Sequence, residues 1–388
     1  MSTATAARFS DAELDDIRHR ETVSSVFERF GARLRRAGKM QVCLCPFHAE
    51  NSASCQISDA KGSFHCKGCS AGGDVIKAVM LLKPCAFPEA VEFLGGVREL
   101  SPADIAAIEK RNREREEREA AEAKRAAEKA ARLWNSGARL AEGTRAALYL
   151  DARGLRALPG ADLRYVPSLP YWGFADARTD ELTDLGSFPA MIGAIRSGSG
   201  ALIGVHRTYL DPVEPMKLKP PGDRSRNRAK KITGEQRGGS IALTRPSSRM
   251  AYGEGIETTY SWAALMGGAA VAGYGLAALV SLGNICGGAI EHRPHPSLKH
   301  ADGRPLSIPN GVPDFSRPGF MPGLDVREAV LLGDGDSDHA GTKARLLTAV
   351  RRWEDDPDRP EPVRVGVSMA ADGFDFNDIL MNDADGGM

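Results

Sequence analysis

Five of the chain's seven cysteines fall between Cys43 and Cys69, and no other feature narrows the fold as much. Cys45-Pro-Phe-His48 and Cys66-Lys-Gly-Cys69 each hold two residues between two potential ligands, and 17 residues separate the pairs. A two-residue spacing lets one tight turn present two donors to a tetrahedral ion, and two such turns close a structural Zn²⁺ site. Cys45, His48, Cys66 and Cys69 are the expected ligands. Cys43 is the rival to Cys45, but one intervening residue makes a strained chelate. Cys55 lies on a strand-like stretch (SCQIS) and reads as packed, and His65 reads as outward-facing. The odd number and local clustering suit a metal site in a reducing cytoplasm better than a disulfide framework. Zinc would supply much of the folding free energy of so small a unit, roughly 10 kcal/mol or more.

Around this cluster the chain reads as several pieces. Residues 1–98 form the zinc unit, with an amphipathic segment near 12–30, a basic stretch at 33–39, and a helix after Gly72-Gly73-Asp74 that ends near Pro84. Ser101-Pro102 starts a helix, and 99–142 is a charged helical linker. Its residues 109–130 mix both signs with alanine and lack an apolar heptad, so a solvated spacer is expected. From 143 the pattern is α/β. A helix spans 144–155, strands at 190–195 and 201–210 pair across a Ser-Gly turn, and 217–237 is a basic loop. After Ser248 strands and helices alternate, which implies a mostly parallel sheet with helices on its faces. The N-terminus has no apolar run before its acidic cluster, unlike a secretory leader. Residues 258–290 carry no charge, but seven glycines interrupt them, so they read as buried helix, strand and helix, with no membrane partner. Within the insertion at 283–324, His292, His295 and His300 read as solvated loop residues.

Carboxylates stand where strands should end. One group is Gly253-Glu254-Gly255-Ile256-Glu257. The other is Gly333-Asp334-Gly335-Asp336-Ser337-Asp338. Each follows an apolar strand and precedes a helix, which puts both at the carboxyl edge of the sheet, where α/β proteins bind ligands. Oxygen donors so placed suit Mg²⁺ or Mn²⁺ and the bridging of phosphates. Asp375 and Asp378, near the C-terminus, could complete an outer shell. No Glu stands twelfth from any of Asp334, Asp336 or Asp338, which excludes a helix–loop–helix calcium loop. A phosphate-binding Walker loop is absent.

CysProPheHis at 45–48, CysLysGlyCys at 66–69 and GlyGlyAsp at 72–74 resemble the zinc ribbon of bacterial and phage DnaG-type primases. GluGlyIleGluThr at 254–258 with AspSerAspHisAlaGly at 336–341 resembles the Toprim domain. TyrLeuAspAlaArgGlyLeu at 149–155, GlyValHisArgThrTyrLeuAsp at 204–211 and AspPheAsnAspIleLeu at 375–380 resemble primase-like Toprim proteins of phages and mobile elements. The resemblance implies an α/β catalytic core: a basic subdomain (143–247) before a Toprim domain (248–388). It also implies primer synthesis from ribonucleoside triphosphates on single-stranded DNA. Glu254, Asp336 and Asp338 match the Toprim acids and would hold the magnesium. Asp334 is an extra acid that could replace Asp338 as the partner of Asp336. Arg207, Lys217, Lys219, Lys230 and Lys231 would meet phosphate. Arg33, Arg35, Arg36 and Lys39 would hold template, and Phe47 and Phe64 are stacking or packing groups. With no helicase domain following, unwinding would need a separate replicative helicase. A Toprim nuclease and a non-catalytic zinc module that delivers a helicase are the alternatives. No tyrosine stands out as the nucleophile a topoisomerase would need.

The chain carries 51 basic and 51 acidic residues. Zero net charge argues against a nucleic-acid partner until the parts are separated. Residues 143–247 hold 16 Lys/Arg against 10 Asp/Glu, whereas 248–388 hold 12 against 20. A positive face beside a negative metal site sums to nothing.

Overall fold

The computed structural model describes residues 9–37, 40–47, 53–66, 71–176, 181–270, 273–299, 305–317, 319–336 and 338–385. The chain divides into two compact units. One holds residues 1–122 with 297–307, the other 123–296 with 308–388.

The first unit opens with α1 (Asp11–Arg20) and α2 (Val23–Arg29). The amphipathic segment expected as one stretch is two helices, because each has its own cap. Ser10 and Glu13 form a reciprocal capping box on α1, and Thr22 accepts from Ser25 N at the start of α2. The strands β1 (Arg35–Ala37), β2 (Met40–Cys43), β3 (Cys55–Ser58), β4 (Ser63–Cys66) and β5 (Gly72–Gly73) follow in one sheet in that order. All its pairings are antiparallel. Asp74 caps α3 (Val75–Leu82), and α4 (Phe87–Phe93) and α5 (Pro102–Ser136) follow. The core gathers Ile17, Phe27, Ile57, Phe64, Ile76 and Val79. Phe64 is buried, and its ring lies 5.1 Å from that of Phe27 and 5.8 Å from that of Phe47. Of the two readings of Phe64, packing is the correct one, because a ring so enclosed has no face for a base. Cys55, expected as packed, is fully buried on β3.

The second unit contains two five-stranded sheets. The first is antiparallel, in the order β10-β9-β8-β7-β6. It is built from β6 (Ala138–Arg139), β7 (Leu163–Phe174), β8 (Leu182–Arg196), β9 (Leu202–Tyr209) and β10 (Lys230–Gly234), with α6 (Arg145–Asp151) between β6 and β7. The end of the basic segment is therefore strand rather than loop: Lys230 pairs with Thr208 and Lys231 with Arg207. The second sheet runs β11-β13-β12-β18-β19 and is parallel apart from β11. Its strands are β11 (Ile241–Ala242), β12 (Arg249–Gly253), β13 (Tyr274–Ala278), β18 (Glu328–Gly333) and β19 (Arg364–Met369). The helices are α7 (Ile256–Ala270), α8 (Leu282–Cys286), α9 (His339–Glu354) and α10 (Phe376–Asp385). The uncharged 258–290 stretch thus forms helix, strand and helix as expected, and among the described residues no helix is long and apolar enough to cross a membrane.

The insertion forms structure instead of a solvated loop. It contains β14 (Gly288–Ala289) and β17 (Pro313–Asp314), which pair with each other, and β15 (His292–Lys299) with β16 (Pro305–Pro309). His295 is buried, His292 is exposed, and His300 lies outside the described residues. Arg352, fully buried on α9, donates to the carbonyls of Cys286, Gly288 and Asp314 and so ties the insertion to that helix. Phe27→Ala should cost the zinc unit about 3–5 kcal/mol, read as a lower urea midpoint for its unfolding transition.

Candidate metal centres and the comparisons

At the zinc cluster, the described donors are Cys45 and Cys66, both buried. The Phe47 amide donates to Cys45 Sγ at 3.4 Å, and Ser54 Oγ lies 3.0 Å from Cys66 Sγ. An amide two residues on, pointed at a cysteine sulfur, stabilises a thiolate and fits a metal ligand. His48 and Cys69 lie outside the described residues, as does Lys39. Cys43 faces Cys55, and Cys55 faces Cys66, across β2, β3 and β4. The neighbouring Cys43 thiol and burial push the Cys55 thiol up, which keeps it protonated and suits a packed residue.

At the other end of the chain, strand order decides which acids meet. β12 is parallel to β18, and β18 to β19, so all three carboxyl ends lie at one edge. Glu254 follows β12, Asp334 follows β18, and Asp375 lies in the connection from β19 to α10. Gly335 permits this loop: a Cβ there would sit 2.3 Å from the Ala371 carbonyl oxygen. Burial and the charge of Asp334 hold the Glu254 carboxyl above its usual range, with Asp336 adding to the effect. Burial likewise raises Asp334, as do Asp375 and Asp336, against a hydrogen bond from Thr258. Thr258 Oγ1 donates to Asp334 Oδ2 at 2.8 Å, whereas Asp334 Oδ1 is buried without a partner. Mutually repelling carboxylates and an orphaned oxygen fit a divalent cation, which would satisfy both. Beside them is a cavity of about 130 Å³, walled by Glu254, Asp334, Thr258, Lys230, His206 and Val280 among others. Val280 holds φ +72°, a strained conformation for a β-branched residue, at about 1–2 kcal/mol.

Asp338 is occupied differently. It caps α9 by accepting from Gly341 N at 2.8 Å and bonds His295 Nε2 at 2.9 Å. Although burial would raise its carboxyl, these partners hold it below the usual range. Asp338 is thus engaged by Gly341 and His295, whereas Glu254, Asp334 and Asp336 act on one another electrostatically; among the described residues no three acids, cysteines or histidines are gathered closely enough to hold a metal ion. Asp375 and Asp378 exchange backbone and side-chain bonds at the start of α10; Asp375 still acts electrostatically on Asp334.

Lys217, Lys230, Lys231 and Arg207 are already partnered. Lys230 Nζ and Lys217 Nζ lie 3.0 and 3.3 Å from the two oxygens of Glu257, which also accepts from Tyr149 Oη at 2.7 Å. Burial alone would raise Glu257, but the two lysines hold it well below the usual range. Lys230 stays charged despite burial because of Glu257 and Glu254, whereas at Lys217 burial wins. Lys231 donates to the Trp172 carbonyl and sits 3.9 Å from the Tyr171 ring centroid. Its pKa is pushed down to about 8 by burial and Arg207. Arg207 donates to Tyr209 Oη and the Ile232 carbonyl. Lys219, Arg33, Arg35 and Arg36 are exposed.

Sequence reasoning placed Glu257 among the edge acids but missed its lysine partners, and it missed His206. Glu257 had a readable signal, since α7 carries no other charge and a lone carboxylate there needs partners from elsewhere. Burial and Lys230 push the buried His206 imidazole down to about 4. His206 had no such signal.

Residues 9–109 match a family model described as a CHC2 zinc finger, the zinc ribbon of DnaG, and residues 124–243 match a domain of unknown function, DUF7146. The DNA primase of Streptomyces coelicolor is 42% identical over 92 residues, 24% of this chain and 14% of that protein. The DNA primase of Enterococcus faecalis is 32% identical over 96 residues, 25% and 15% respectively. The chain thus matches only about one-seventh of the length of these relatives. The crystal structure of the Aquifex aeolicus primase (zinc-binding and RNA polymerase domains) aligns with 96% of this chain and 83% of its own at 16% identity. The TM-score is 0.30, too low to carry an argument. Over residues 9–109 the chain is similar to the zinc ribbon of DnaG.

Proposed function

We propose that the chain synthesises short primers on single-stranded DNA by metal-dependent nucleotidyl transfer. The observation that carries this reading is the orphaned Asp334 oxygen beside Glu254, in a chain headed by a primase-type zinc ribbon. Glu254, Asp334 and Asp336 hold the divalent cations, with Asp375 adding negative charge behind them. Mg²⁺ or Mn²⁺ bound there would activate the primer 3′-hydroxyl and offset charge on the incoming ribonucleoside triphosphate. The 3′-hydroxyl gives up its proton to water, its oxygen bonds to the α-phosphorus, the bond from the α-phosphorus to the oxygen bridging to the β-phosphate breaks, and pyrophosphate leaves. Lys230, fixed in its charged form by Glu257, faces the triphosphate from the cavity wall. Glu257 acts on Lys230 and Lys217 as a positioning residue. Cys45, His48, Cys66 and Cys69 hold a structural zinc, and Arg33, Arg35, Arg36 and Lys39 contact template. A separate helicase supplies unwound DNA. The division into a zinc unit, a helical linker, a basic subdomain and a Toprim domain, at 1–98, 99–142, 143–247 and 248–388, belongs to the same reading.

Three variants test it. Glu254→Gln should lower template-dependent labelling of products from NTPs and Mg²⁺ by about 10²–10³-fold. The same change relieves repulsion in the metal-free protein and should raise its Tm by roughly 2–4 °C. Synthesis that survives the change sinks the site assignment, and cleavage of the template without synthesis makes the chain a nuclease. Glu257→Gln strands two lysines and should cost about 3–5 kcal/mol by urea titration. Cys66→Ser, or chelation, should abolish stoichiometric zinc by atomic absorption and unfold the N-terminal unit, while the far-UV signal of the other unit persists.

A further inference from the structure

The first half of α5 is more than a spacer. Asn112 donates to Asp15 at 2.7 Å and bonds His19 Nε2 at 3.1 Å, and Arg98 bonds both Asp16 and Asp104. These contacts fasten the start of the helix to α1 within the zinc unit. Between them lies a groove of about 250 Å³ walled by Arg18, His19, Asp59, Ala60 and Gly62, and by Arg111, Glu114, Arg115 and Arg118 of α5. Positions four and three apart share one helix face, so the three arginines line one wall. Among the described residues none of the three makes a hydrogen bond or ion pair. Glu114 and Arg118 stand four apart, as do Arg115 and Glu119, yet neither pair closes; Glu114 lies instead 3.9 Å from Lys110.

The other charges in the groove are already matched. Arg18 bonds Asp15 and Asp74, each at 2.8 Å, and Asp59 accepts from Ser24. Among the described residues the three guanidinium groups have no ion-pair partner, Glu114 beside them being turned to Lys110, and they are staggered along the axis by about 6 and 4.5 Å.

We infer that this groove binds the phosphate backbone of single-stranded nucleic acid. Guanidinium forks match phosphate oxygens in pairs, and the stagger meets successive phosphates of an extended strand. No Phe, Tyr or Trp lines the groove, and the imidazole of His19 is held by Asn112, so recognition is of backbone more than of base. An acidic protein segment would offer carboxylates at irregular intervals and suits the regular arginine row less well. This template-binding surface is additional to the one assigned to Arg33, Arg35, Arg36 and Lys39, and it rests on the template-directed reading above.

The test is fluorescence anisotropy of the zinc-loaded full chain with a labelled oligothymidylate, without nucleotide or Mg²⁺. Its failure therefore leaves the primer-synthesis reading standing. Arg111→Ala/Arg115→Ala/Arg118→Ala should weaken binding at least tenfold at low salt. It should also flatten the plot of log affinity against log salt by about two, given about 0.7 per phosphate contact on a single strand. The corresponding triple lysine variant should keep the slope. Arg113→Ala/Lys124→Ala/Arg125→Ala, of equal charge on the same helix, should bind as the unaltered chain does. Circular dichroism and zinc content check folding, and alanine favours the helix. A triple alanine variant that is folded and within twofold of the unaltered chain overturns the inference. A control triple that loses as much overturns it equally.

Discussion

The parallel pairing of β12 with β18 brings together carboxylates that would otherwise avoid one another. Tyr252 lies opposite Leu331 in that register, so the chain leaves both strands at one edge, and Glu254 and Asp334 are carried there by the apolar strands behind them. Hydrophobic burial of residues such as Ala251, Leu331 and Leu332 drives the pairing, and the electrostatic cost at the edge is imposed by it. Such a cost persists where a ligand removes it.

Glu257 shows the opposite balance. Its carboxylate is buried, which alone would favour the neutral form, but Lys217, Lys230 and Tyr149 surround it. Three partners on one carboxylate satisfy the condition under which a buried ion pair stands: good geometry and further hydrogen bonds. The loop into α7 therefore carries an acid left to repulsion, and the first turn of the helix carries an acid fully compensated. The first is free to bind a cation. The second fixes lysines at the cavity wall.

Much of this was legible in the sequence. The helix starts at Ser101-Pro102 and Asp74 and the β/α alternation after Ser248 are local patterns, and each formed as expected. Acids after strands marked the carboxyl edge. What could not be read was partnership. GDGDSD offers three equivalent acids, and only the insertion, through His295, takes Asp338 away from the others. The basic 217–237 segment looked like a free cationic loop because its counter-charge, Glu257, lies on another element. The insertion itself had no periodic pattern, since its strands are short and rich in proline and histidine. Arg352 reaches them from 38 to 66 residues away in sequence.

The bond between His295 and Asp338 carries a consequence for how the insertion can vary. Asp338 stands at the start of α9, two residues past Asp336, and it is at once the helix cap and the anchor of β15. Lengthening or trimming the insertion pulls on that anchor, and the pull reaches the acidic loop through two peptide units. The ribbon around His295 is thus tied to the chemistry by a short covalent lever. Its length is constrained by the aspartate it holds.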